Sequence, residues 1–82
     1  MVGPTLLTEI VIRFARPEDR PALIRLAGRD SQPVPDGELL VAEAKGEIRA
    51  ALPLDGHQPV ADPFHPTAEL VRLLEVRRGQ LK

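Results

Sequence analysis

Glu38-Leu39-Leu40-Val41-Ala42-Glu43-Ala44-Lys45-Gly46-Glu47-Ile48-Arg49-Ala50-Ala51-Leu52-Pro53-Leu54 is the stretch whose reading decides the fold. Two apolar runs flank a single glycine, the pattern of a β-hairpin. The second arm alternates, with Ile48, Ala50, Leu52 and Leu54 on one face and Glu47, Arg49, Ala51 and Pro53 on the other. The turn can be built in two ways. A two-residue turn at Lys45-Gly46 needs positive φ at both residues, which a lysine disfavours. A type I turn over Ala44-Lys45 needs it only at Gly46, placed in a G1 bulge. The second is the expectation. It pairs Ala42 with Ile48 and Leu40 with Ala50 on one apolar face. The other face then carries Leu39, Val41 and Ala51, with Glu43, Glu47 and Arg49 toward the turn. Glu43 and Glu47 would face each other, a mild repulsion. Both faces are apolar away from the turn, so other elements should cover both sides of the sheet. Pro53 has no N–H to give and marks a strand end or an edge.

Outward from the hairpin, Glu9 to Ala15 alternates and reads as a first strand, with Ile10, Ile12 and Phe14 on one face and Val11 and Arg13 on the other. Residues 1–8, with Gly3 and Pro4, read as a flexible lead-in, and 9–82 as one domain. Pro17 suits a first helical position and Glu18 and Asp19 a first turn, so a helix is predicted over Pro17–Gly28. Its buried stripe is Ala22, Leu23, Leu26 and Ala27, and Gly28 is the expected stop. Arg29 to Gly37 holds two prolines and reads as a loop. After the hairpin, Asp55-Gly56 signals a turn, and a short fourth strand is expected around Val60. His65 precedes Pro66 and is biased away from helix. A last helix is therefore predicted over Pro66–Gly79, with Ala68, Leu70, Val71, Leu73, Leu74 and Val76 on a wide apolar face. The order β-α-β-β-(β)-α gives an α+β fold, a three- to four-stranded antiparallel sheet with two helices packed against it.

Composition narrows the function. A chain of 82 residues buries only roughly 60–65% of its unfolded surface, so its stability margin is thin. The 11 basic and 12 acidic residues give a net charge of −1, which argues against electrostatic binding to nucleic acid or membrane. There is no cysteine, hence no disulfide framework or cysteine zinc site. No apolar run is long enough to span a bilayer, and Glu9 interrupts an N-terminal stretch without a basic start, so no secretory leader is expected. A cytoplasmic location follows as an expectation. Arginine outnumbers lysine and alanine and proline are abundant, the usage of a GC-rich bacterial genome. The two phenylalanines are the only aromatics, which leaves little for base stacking or a ligand cage.

Ile12-Arg13-Phe14-Ala15-Arg16-Pro17-Glu18-Asp19, the Ala22-Leu23-Ile24-Arg25-Leu26-Ala27 helix, Leu40-Val41-Ala42-Glu43 and Gly46-Glu47-Ile48-Arg49-Ala50-Ala51-Leu52 together resemble the N-terminal half of a GNAT-superfamily N-acetyltransferase. The resemblance covers residues 9 to 61. It implies a sheet of this order, a fold truncated relative to the family, and acetyl-CoA as the family's cofactor. In that family a glycine-rich loop after strand four gives backbone N–H groups to the pyrophosphate at a helix N-terminus. The corresponding Asp62-Pro63-Phe64-His65-Pro66 lacks two such donors and adds a carboxylate. Arg25-Leu26-Ala27-Gly28-Arg29-Asp30 matches the loop formally but lies at the end of the first helix. The tyrosine often used as general acid is absent. No catalytic, cofactor-binding or metal-binding residue is carried over.

The remaining chemistry-bearing residues have plain structural readings. His57 and His65, with Asp55 and Asp62, lack metal-ligand spacing on any one element and are expected to be structural or exposed. Asp62 should bond local backbone N–H groups. Phe64 is expected to plug the core under the last helix, and Thr67 to cap it. Ser31 has no base at a useful spacing. Arg72, Arg77 and Arg78 read as a solvated helix face. The expected function is non-catalytic: a small GNAT-like domain that associates with itself, as a homodimer through its last strand or last helix, or with another protein. The alternative is an N-acetyltransferase whose acetyl-CoA site is completed by a second chain.

Overall fold

A computed structural model describes residues 10–81. The lead-in expected over 1–8 and the Glu9 start of the first strand lie outside the described residues. Four strands, β1 (Ile10–Phe14), β2 (Leu39–Ala44), β3 (Glu47–Pro53) and β4 (Val60–Ala61), form one antiparallel sheet in the order β1-β2-β3-β4. Two α-helices accompany it among the described residues, α1 (Arg20–Arg29) and α2 (Ala68–Gln80). The small α+β fold expected from the sequence is the fold observed. No helix among the described residues is long and apolar enough to cross a membrane.

Each face of the sheet has its own core. On one side Leu23, Leu26 and Ala27 of α1 pack on Leu39, Val41, Ala51 and Val60. On the other, Leu70 and Leu74 of α2 pack on Leu40, Ala42, Ala50 and Leu52. The central strands β2 and β3 are apolar on both faces because a helix covers each.

The hairpin departs from expectation at its turn. Ala44 pairs with Glu47, so the turn is the two-residue Lys45-Gly46, with φ of 54° and 79°. Positive φ at both positions gives a twist that matches the flanking strands, and that match outweighs the strain at Lys45. The G1 bulge expected at Gly46 is absent. A bulge lies further along instead. Glu43 pairs with Ile48 but Ala42 with Ala50, which leaves Arg49 as an extra residue in β3. Without it Arg49 would oppose Ala42 and point into the α2-side core. The bulge also moves Ile48 to the α1 side, against the face predicted for it. Glu43 and Glu47 no longer oppose each other. Glu43 pairs with Arg13 at 2.6 Å and Glu47 with Arg49 at 2.8 Å.

The first helix starts later and ends later than predicted. Pro17–Asp19 winds as a 3-10 turn before α1 begins. The ring of Pro21 would collide with the Pro17 carbonyl in a regular α-turn, so the entry is tighter. The stop is not Gly28 but Ser31, left-handed at φ 54°. Ser31 N–H donates to the Gly28 carbonyl and Gln32 N–H to the Ala27 carbonyl, the bond pair of a Schellman motif. The last helix begins at Ala68 and runs one residue past Gly79.

Candidate interaction surface

Strand β1 is the least covered element of the sheet. α1 packs chiefly on β3 and β4, and α2 on β3 and β2. Ile10, Val11 and Phe14 are 38%, 47% and 49% exposed, with Ile10 and Phe14 on the α2 side and Val11 on the α1 side. Only Ile12 joins a core, and only in part. The bond from Ala15 N–H to the Leu39 carbonyl (2.9 Å) sets the phase of the β1–β2 ladder. Val11 and Arg13 turn their backbone groups toward β2, and Ile10, Ile12 and Phe14 turn theirs outward. Among the described residues, one contact reaches that outer row: Arg13 Nη1 donates to the Phe14 carbonyl at 3.1 Å.

The inner side of β1 is fixed by charge. Arg13 donates to both oxygens of Asp19 (2.7 and 3.0 Å), and its Nε donates to Glu43 at 2.7 Å. Asp19 also accepts the Arg16 N–H at 2.7 Å. The Arg13 side-chain hydrogen bond, with the Arg16 N–H, lowers the Asp19 carboxyl from 3.8 to about 2 against the opposing effect of burial. The group ties β1 to the entry of α1 and to β2. It orients the strand and holds its outer edge in place.

The opposite edge of the sheet is closed. β4 has two residues, and its outward N–H at Ala61 donates to Asp30 Oδ2 at 3.2 Å. This carboxylate, from the segment after α1, occupies a position where another strand would pair. The last strand is therefore not the free edge that sequence reasoning assigned to it. β1 is.

The Asp62 loop is also closed on itself. Asp62 is fully buried and accepts from Arg29 (3.0 Å), Arg49 (3.2 Å) and the Phe64 N–H (2.9 Å), with His65 Nδ1 at 3.3 Å. Burial raises its carboxyl pKa, but the Phe64 N–H, Arg29 and His65 outweigh it, and the net direction is down. The Asp62 N–H donates to the Arg49 carbonyl and the His65 N–H to the Asp62 carbonyl. With Pro63 and Pro66, every backbone N–H from 62 to 66 is either missing or already bonded within the chain. Asp62 thus serves local backbone as read from the sequence. The two arginines it collects come from elements 33 and 13 residues away, which no local pattern reveals.

Other sequence candidates stand apart. His57 Nδ1 lies 2.7 Å from Asp55, and both side chains are exposed. Among the described residues no group of three or more His, Cys, Asp or Glu could hold a metal. Phe64 is 77% exposed and is not the core plug expected; Leu70 and Leu74 fill that core. Thr67 occupies the N-cap position of α2, but its side chain makes no capping bond. Arg78 reaches the Pro53 carbonyl at 3.3 Å, while Arg72 and Arg77 stay on the exposed face with local partners. A groove of about 480 Å³ lies between Pro33–Pro35 and Pro53, with Val60 at its floor and His57 at its rim.

Compared with family models, with curated proteins and with solved structures, the chain matches none.

Proposed function

We propose that this chain is a non-catalytic association module that works by pairing the free edge of β1 with another strand. One observation carries the reading: a five-residue strand has outward backbone groups and three exposed apolar side chains, and both helices pack chiefly on other strands. Such an edge is a template for strand addition. The Arg13 group supports the reading because it holds the strand ready and, among the described residues, touches its outer row only at the Phe14 carbonyl, which keeps a lone pair for a partner. The GNAT likeness remains part of this proposal at the level of fold. The order of strands and helices over 10–81 is compatible with the N-terminal half of that family. The internally bonded 62–66 loop supports a non-catalytic role over an acetyl-CoA enzyme.

The test is sedimentation equilibrium of the native chain and of Phe14→Pro. Proline at this position removes an outward N–H and leaves the bonds to β2 in place. The expected result is a concentration-dependent dimer that Phe14→Pro weakens by at least about tenfold, roughly 1.4 kcal/mol, with an unchanged circular dichroism spectrum. A dimer untouched by Phe14→Pro would overturn the edge as the site. A monomer would leave pairing with a strand of another protein, to be sought with Phe14→Pro as the negative control. Titration with acetyl-CoA, read at the amides of 60–67, checks the enzyme alternative; saturable shifts there would replace the proposal.

A further inference from the structure

Resting on that reading, we infer that the partner of β1 is the β1 of a second copy, in an antiparallel register centred on Ile12. The alternation of bonds restricts the choices. Only Ile10, Ile12 and Phe14 turn their N–H and C=O groups outward, so these residues must meet one another across the interface. A two-fold axis at Ile12 pairs Ile12 with its own copy and Ile10 with the partner's Phe14, twice over. All five residues of the strand then take part. Each directly opposed outward pair exchanges two backbone bonds, which gives six in all.

The side chains agree with this register and reject its neighbours. On the α2 side the opposed pairs are Ile–Ile and two Ile–Phe, the aromatic and β-branched pairings that stabilise sheets. On the α1 side Val11 meets Arg13, whose charge is already matched by Asp19 and Glu43 within its own chain. A register centred on Arg13 would set two guanidinium groups side by side. One centred on Val11 would leave Phe14 without a partner inside β1. The pairing is isologous and closes on itself. It joins two four-stranded sheets into one of eight strands, with both α2 helices on one face and both α1 helices on the other. The outer ends of that sheet are the two β4 edges, each carrying the Asp30 contact.

The absence of cysteine from the sequence makes single-cysteine variants unambiguous. In the proposed register the two Ile12 Cα atoms lie about 5.5 Å apart, inside the range of roughly 4.4–6.8 Å that a disulfide requires. The two Val11 Cα atoms lie about 8 Å apart, outside it. Native mass is measured for each variant first, and mild oxidation follows. The expected result is a dimer in which Ile12→Cys cross-links at least about tenfold more than Val11→Cys. Because Ile12 touches a core, a second pair uses exposed positions: mixing Ile10→Cys with Phe14→Cys should give the mixed cross-link and little of either self-cross-link. A dimer that cross-links best through Val11→Cys would overturn the register and leave the edge proposal standing. A dimer with no cross-link at any of the four positions would overturn both, whereas a monomeric mass throughout would overturn self-pairing and leave the edge to a strand of another protein.

Discussion

Lys45 holds a φ of 54° in the hairpin turn, a conformation that strains a residue with a Cβ and that asparagine tolerates best after glycine. Lys45→Asn is expected to stabilise the fold by about 0.5–1 kcal/mol, because Asn-Gly is the favoured pair for this turn. Urea denaturation checks it. At Gly46, φ 79° with open space around the missing Cβ, alanine should cost about 1 kcal/mol through the backbone alone. The presence of a hairpin was legible from two apolar runs around Gly46. Its turn type was not, because the penalty at one lysine is smaller than the twist preference of the two strands it joins. Asp19 gives a prediction in pH. Its folded pKa of about 2 lies below the ordinary 3.8, so its contribution is present above pH 4 to 5 and is lost as pH falls toward 2. With solvent screening allowed for, Asp19→Asn should lose about 1–2 kcal/mol at pH 7 relative to the native chain. The gap should close near pH 2, read from denaturation midpoints across that range. A gap that persists at pH 2 would assign the loss to packing rather than charge.

At the scale of elements, β2 and β3 are held by helices on both faces, whereas β1 is held by β2 and by one charged cluster. Leu74 is fully buried between α2 and the sheet, so Leu74→Ala should cost about 2–5 kcal/mol in thermal or urea unfolding. Val76 is 53% exposed on the same helix, and Val76→Ala should cost about 0.5 kcal/mol or less. Equal losses at the two positions would contradict the placement of α2. The helices themselves were legible: proline and acidic residues near the first start, an apolar stripe in each, and proline before the second. Their ends were less so. Ser31 rather than Gly28 takes the left-handed position, and Pro21 tightens the first turn. The Arg49 bulge was not legible either. Strict alternation through Ile48, Ala50 and Leu52 hides an inserted residue, and only the need to keep a guanidinium out of the α2-side core reveals it.

At the scale of the whole molecule, the decisive feature is the asymmetry between the two edges of the sheet. Sequence order made β4 the apparent end, with the last helix beside it. In space β4 is short and bonded by Asp30, while β1 lies at the margin with its outer backbone groups turned away from β2. No pattern within Ile10–Phe14 announces an edge. Apolar residues on both faces read equally well as a strand buried in the middle of a sheet, and the order of strands is fixed by contacts remote in sequence. The most direct test is amide hydrogen exchange along β1 as a function of protein concentration. Val11 and Arg13, bonded to β2, should be protected at every concentration. Ile12 and Phe14, whose N–H groups point outward, should exchange rapidly when dilute and become protected as the chain associates. Association without any gain of protection at Ile12 and Phe14 would contradict the β1 edge as the interface.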